Sequence, residues 1–96
     1  MLALRWTERA VAHLEAIVEY ISVTSPVYAE GVVLRIEHRL QLACAHPALG
    51  KRAPEAGALD VRELVVPPYR VFYREQQAQL EVLAIVHARQ DLSNVP

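Results

Sequence analysis

The chain has 96 residues, enough for a single domain, and its net charge of −1 does not indicate the basic surface of a nucleic-acid-binding domain. Its hydrophobic fraction of 53% is high for so small a domain, which indicates either apolar surface that faces a partner or a genome rich in alanine, valine and leucine. The single Cys44 excludes an internal disulfide, and the absence of a signal-peptide or membrane-span pattern predicts a cytoplasmic protein with no membrane partner.

The first part of the chain predicts a strand followed by a helix. Residues 2–6 form a short apolar strand candidate, and Thr7 can cap a helix because its hydroxyl can accept a hydrogen bond from a free backbone N–H. The helix is expected to carry one apolar stripe at helical spacing: Ala10, Leu14, Ile17, Val18 and Ile21.

A second helix is predicted to begin at Ser25-Pro26, because serine is a favoured cap and proline suits the first helical turn. Pro47 ends this helix, since the residue before proline avoids the helical region. Residues 47–60 are predicted to form the longest loop, and residues 90–96 a frayed tail of the single domain 1–96. The second helix has its own apolar stripe: Ala29, Val32, Val33, Ile36, Leu40 and Ala43.

Three segments in the last third of the chain are rich in β-branched and aromatic residues and are bounded by turn residues. They span residues 61–66, 69–74 and 82–89, and they predict a three-stranded antiparallel meander. The expected fold is therefore α+β in the order β-α-α-β-β-β, with a helical hairpin packed on one face of a small antiparallel sheet.

Alternation along these strands predicts which side chains share a face of the sheet. In the middle strand Tyr69, Val71 and Tyr73 lie on one face, and Arg70, Phe72 and Arg74 on the other. The last strand is predicted to divide Leu83, Ile85 and His87 from Val82, Ala84 and Val86. One face must meet the helices, and the other can display arginines beside aromatic rings.

Taken in order, the sequence pieces resemble the RelE/ParE superfamily of bacterial toxins. The residues that carry this resemblance lie at 6–10, in the first helix at Leu14, Ile17, Tyr20 and Ile21, and at 47–51, 61–64, 69–73 and 86–89. The resemblance is nearest the ParE branch. It implies the toxin of a type II toxin–antitoxin pair, with a ParD-like antitoxin as partner and DNA gyrase as target.

The ribonuclease branch of the superfamily is the main alternative. Arg70 and Arg89 match its arginines, but Val61 and Glu63 stand where that branch has lysines, and its C-terminal tyrosine falls at about Val95. A carboxylate at Glu63 would repel phosphate. A RelE-like ribosome-dependent mRNA endonuclease therefore remains the second interpretation, and a decayed, non-toxic homologue that serves as a binding module is the third.

The resemblance also implies candidate sites. The candidate catalytic groups are Arg70, His87 and Arg89, and together with Arg62 they are the candidates for target binding and toxicity; Arg70 could instead pair with Glu63 or Asp60. The apolar helix faces are assigned to antitoxin binding: Leu14, Ile17, Val18, Ile21, Val33, Ile36 and Leu40. We expect no metal site, no cofactor and no direct nucleic-acid partner, because the histidines lack ligand spacing and no glycine-rich phosphate loop occurs.

Overall fold

The computed structural model describes residues 1–53 and 60–88. The helices and strands within these residues are β1 (Ala3–Trp6), α1 (Glu8–Ser22), α2 (Pro26–Ala45), β2 (Lys51–Arg52), β3 (Arg62–Val66), β4 (Tyr69–Gln76) and β5 (Gln79–His87). The described strands form one sheet in the order β1-β5-β4-β3-β2. The predicted α+β fold, with a helical hairpin on a small sheet, is confirmed.

Both helices begin at the predicted capping residues. The Thr7 hydroxyl accepts a hydrogen bond from the Ala10 N–H at 3.2 Å, and the Ser25 hydroxyl accepts one from the Tyr28 N–H at 3.1 Å. These bonds satisfy backbone donors that the first helical turn leaves free, and each contributes about 1 kcal/mol to stability. Neither described helix is long and apolar enough to cross a membrane.

The sheet is mixed, whereas the sequence pattern predicted an antiparallel one. β3, β4 and β5 form the expected antiparallel meander, but β1 pairs with β5 in parallel. A parallel neighbour needs a long crossover connection, and the helical hairpin helps to supply it. The predicted loop also contains β2, which pairs with the first residues of β3 through Lys51↔Glu63 and Arg52↔Arg62.

The main core lies between the helical hairpin and one face of the sheet. Both helices turn their apolar stripes toward the strands, and full burial of each large aliphatic side chain contributes roughly 1.5–3 kcal/mol. Partly buried side chains of β1 and α1 pack against the edge of this core. Its buried members include Val32, Ile36, Leu40, Leu64, Val71, Tyr73, Leu80, Val82 and Ile85.

A bulge in β5 interrupts the predicted alternation of its side chains at Leu83. Phe72 pairs with Ala84 but Tyr73 pairs with Val82, so Leu83 has no partner on β4. Val82 therefore packs into the core below the helices, and Leu83 packs on the opposite face of the sheet. The prediction that grouped Val82 with Ala84, and Leu83 with Ile85, was wrong, because alternation fails at the extra residue.

Candidate functional site

Arg70 lies on the face of the sheet that is turned away from the helices. Its Nε donates a hydrogen bond to Glu63 Oε2 at 2.8 Å, and its Nη2 contacts the same oxygen. Only 15% of each of these two side chains is exposed. The guanidinium carbon also lies 4.9 Å from the centre of the Phe72 ring, in a cation–π arrangement. The alternative in which Glu63 holds Arg70 is therefore the observed one.

His87 is on the other face of the same sheet. In the register of β4 and β5, His87 pairs with Tyr69, and Arg70 pairs with Val86. The His87 and Tyr69 rings meet edge to face, with centroids 5.9 Å apart and an interplanar angle of 79°. Because Tyr69 belongs to the core below the helices, His87 and Arg70 point to opposite sides of the sheet.

Arg62 ties the chain after α2 to the sheet. Its Nη1 donates a hydrogen bond to the Gly50 carbonyl at 2.8 Å, while the Gly50 N–H donates to the Tyr73 hydroxyl at 2.8 Å. The Tyr73 hydroxyl in turn donates to the Pro47 carbonyl at 2.8 Å. Burial raises the pKa of the Tyr73 hydroxyl, so this donor keeps its proton. Arg62, predicted as a target-binding residue, thus has a structural contact within the chain itself.

Arg89, the remaining candidate for catalysis and toxicity, lies outside the described residues, as does the predicted tail at 90–96. No group of three histidine, cysteine, aspartate or glutamate side chains is placed to hold a metal ion within residues 1–53 and 60–88. Cys44 is buried in the core with 2% of its surface exposed.

Five of the seven helix residues assigned to antitoxin binding lie in the core or pack against it. Ile36 and Leu40 are completely buried in the core, so their assignment to a partner surface does not fit the folded chain. Leu14, Ile17 and Ile21 are half-buried and pack against the same core. The other two members of the set, Val18 and Val33, are half-buried. The stripes were interpreted as a partner surface, but a two-layer fold uses them to join the helices to the sheet.

A groove that the sequence pattern did not single out runs between α2 and β3. It has a volume of about 420 Å³, and its lining combines mostly apolar surface with two arginines. The sequence signal for it was Leu34, an apolar residue off the main stripe of α2 that is 58% exposed. Val65 of β3 also borders the groove at the edge of the sheet and is 51% exposed. The lining residues are Leu34, Arg35, His38, Arg39, Val65, Val66 and Pro67.

Comparison with known proteins gives this arrangement a family. The sequence model described as the ParE toxin of the type II toxin-antitoxin system parDE matches residues 4–92. The chain belongs to the ParE toxin family. It is accordingly the toxin of a type II toxin–antitoxin system.

Relatives of this ParE-family toxin cover almost all of its length. Toxin RelE2 of Caulobacter vibrioides is 36% identical over 84 residues, which span 86% of this chain and 91% of that protein. Y4kP of Sinorhizobium fredii is 34% identical over 94 residues, which span 96% and 94% of the two chains. A solved chain of the chromosomal ParDE system from P. aeruginosa superposes with a TM-score of 0.73 at 25% identity, covering 91% of this chain and 96% of that one.

Proposed function

We propose that this toxin inhibits DNA gyrase, as resemblance to the ParE branch implies, and that a ParD-like antitoxin neutralises it. The observation that carries the first part is the pairing of Arg70 with Glu63. An arginine that stabilises the charge developing on a cleaved phosphate must direct its positive charge at that phosphate. Here the Glu63 carboxylate already accepts a hydrogen bond from the Arg70 guanidinium, and its negative charge would repel an approaching phosphate.

The separation of the candidate catalytic groups supports the same conclusion. Cleavage of RNA through the ribose 2′-hydroxyl needs a base, an acid and a charge-stabilising group around one phosphate. Arg70 and His87 lie on opposite faces of the sheet, so one phosphate cannot contact both. We therefore assign Arg62, Arg70, His87 and Arg89 to target recognition and not to chemistry, and propose that the toxin acts by binding.

The antitoxin partner is supported by the family and by the similar solved chain, which comes from a chromosomal ParDE toxin–antitoxin system. The toxin also exposes large hydrophobic side chains of the kind that a partner covers, among them Tyr20 at 82% and Leu34 at 58% exposure. The proposed target, DNA gyrase, implies that the toxin acts in the cytoplasm. The antitoxin implies the same location, because it must reach the toxin before the toxin reaches its target.

A RelE-like ribosome-dependent mRNA endonuclease is the second candidate. One observation favours it: the relative that is 36% identical carries the name RelE2. A non-toxic binding module is the third candidate. These three functions give different results in the same pair of assays.

The test adds purified toxin to a gyrase supercoiling reaction and, in parallel, to a cell-free translation reaction analysed by primer extension on the message. We expect loss of supercoiling and no codon-phased cuts. The control repeats both assays after addition of the antitoxin encoded beside the toxin gene, which should restore supercoiling. Cuts that appear with wild-type toxin and vanish with Arg70→Ala would establish the endonuclease instead. If the protein is inactive in both assays but still binds the antitoxin, the third interpretation, a non-toxic binding module, would be supported.

A further inference from the structure

The open edge of β3 lies directly beside the groove lined by α2. β2 is only two residues long and pairs with Arg62 and Glu63, the first two residues of β3. Among the described residues, no strand lies beside the rest of that edge, Leu64 to Val66. Unpaired strand edges are the usual place where an extended peptide adds to a sheet.

The backbone of Val65 is directed toward this open edge. The Val61 carbonyl accepts a hydrogen bond at 2.9 Å from the Ala53 N–H, which lies on the β2 side of β3. In an antiparallel sheet the direction of the backbone groups alternates with a period of two residues. Glu63 and Val65 therefore also face the β2 side, and β2 extends only as far as Glu63. The N–H and C=O groups of Val65 are thus placed to pair with an incoming strand.

The groove beside this edge has a distinct chemical character. Arg35 and Arg39 line it together with Leu34 and Pro67, so two guanidinium groups lie beside an apolar surface. The Nε of Arg39 is buried and has no hydrogen-bond partner among the described residues. A buried donor without a hydrogen-bond partner is unfavourable, and a carboxylate that bonded the Arg39 guanidinium would offset that cost. The surface therefore fits a segment that is both apolar and acidic.

We propose that an extended acidic and apolar segment of the antitoxin adds to the sheet along β3 at Val65. One apolar side chain of that segment enters the groove against Leu34, and a carboxylate bonds Arg39. This inference rests on the proposed neutralisation by an antitoxin and names the surface that performs it. A second copy of the toxin fits poorly, because a symmetric pairing of two β3 edges would place the Arg35 and Arg39 side chains of both copies together.

The first measurement is hydrogen exchange on the toxin alone and in complex with the protein encoded by the reading frame adjoining its gene. We expect the Val65 amide to exchange rapidly in the free toxin and at least about tenfold more slowly in the complex, with added protection along residues 34–39. Unchanged exchange at Val65 in a complex that forms normally would overturn the proposed surface and leave neutralisation by the antitoxin intact.

Two variants test the edge and the charge separately by titration calorimetry with the same antitoxin. Val65→Pro removes the outward N–H at an edge position that tolerates proline, and Val65→Thr is its control because it keeps that N–H. We expect Val65→Pro to weaken binding about tenfold or more and Val65→Thr to weaken it less than about threefold. Arg39→Gln should weaken binding about tenfold, whereas Arg9→Gln, on the exposed side of α1, should not.

These outcomes separate the two proposals. Equal binding by all four variants would exclude the β3 edge and the groove as the antitoxin site. A wild-type toxin that fails to bind the adjoining gene product at all would instead contradict the proposed neutralisation, and the surface inference with it. If Val65→Pro lowers the melting temperature strongly, the exchange of the wild-type Val65 amide decides the question without that variant.

Discussion

The pair formed by Glu63 and Arg70 is expected to contribute more to stability than an ordinary surface ion pair. We predict that Glu63→Gln destabilises the toxin by about 2 kcal/mol. This value lies between the roughly 0–1 kcal/mol of exposed pairs and the 3–5 kcal/mol lost when a fully buried pair is broken, because 15% of each side chain is exposed. For a domain of this length, it corresponds to a decrease in melting temperature of roughly 8–16 °C.

The neighbouring pair of Arg52 and Asp60 provides a matched control. Its Nη2 and Oδ1 atoms are 3.7 Å apart, and the two side chains are 76% and 72% exposed. Arg52→Gln should therefore change the unfolding free energy by less than about 0.5 kcal/mol. Thermal and urea unfolding of both variants, measured without antitoxin, gives the comparison.

A double-mutant cycle isolates the interaction between the two groups. The cycle combines Glu63→Gln, Arg70→Gln and the double variant, and we expect a coupling energy of about 1–2 kcal/mol. A coupling energy near zero, with Glu63→Gln no more destabilising than Arg52→Gln, would refute the reasoning. It would mean that the carboxylate does not hold the arginine, and the main argument against RNA cleavage would fail with it.

Three further predictions concern the packing around the sheet. Tyr73→Phe should lower the free energy of unfolding by about 2 kcal/mol, because two hydrogen bonds of the hydroxyl are lost. In the same urea titration, Tyr69→Phe should lower it by less than about 0.5 kcal/mol. Gly50→Ala should lower the melting temperature by more than about 10 °C in a thermal scan, because an added Cβ would lie 2.5 Å from a backbone oxygen of β3. His13 Nδ1 accepts from the Ile85 N–H at 3.1 Å, and burial, with a smaller effect of a nearby arginine, lowers its pKa. As the pH falls, the unfolded chain therefore takes up a proton at His13 before the folded chain does. The free energy of unfolding should keep its full value above pH about 6.5 and decrease as the pH falls below it. Urea titrations should show a smaller decrease for His13→Asn.

Local signals in the sequence were sufficient for the elements but not for all of their pairings. The caps at Thr7 and Ser25 and the meander depend on residues that are close along the chain, and these predictions were confirmed. The parallel pairing of β1 and the bulge at Leu83 depend on contacts between distant segments. A periodic pattern shows which residues share a face, but it does not show where a strand inserts an extra residue.

The candidate site illustrates a related difficulty. An apolar stripe on a helix identifies the buried face without identifying what covers it. Ile36 and Leu40 were assigned to a partner, and the toxin's own sheet covers them completely. The surface left for a partner is marked instead by the exceptions to the pattern, such as Leu34 off the stripe and Val65 beyond the end of β2. Exposed apolar residues beside charged ones are the more informative sequence signal for such a surface.

The register of the sheet also limits the chemistry available near Arg70. Its cross-strand neighbours are Val65 on β3 and Val86 on β5, and both are aliphatic. The next row on this face carries Lys51, Glu63, Phe72 and Ala84. Lys51 is exposed, and Glu63 already contacts Arg70. Within the described residues, no histidine or tyrosine occupies either row, and Lys51 is the one other cationic side chain there. A surface of this kind can recognise a partner through a charge-paired arginine, an exposed lysine and their apolar surroundings. These two rows lack a histidine, the most frequent general acid and base for cleaving a phosphate ester.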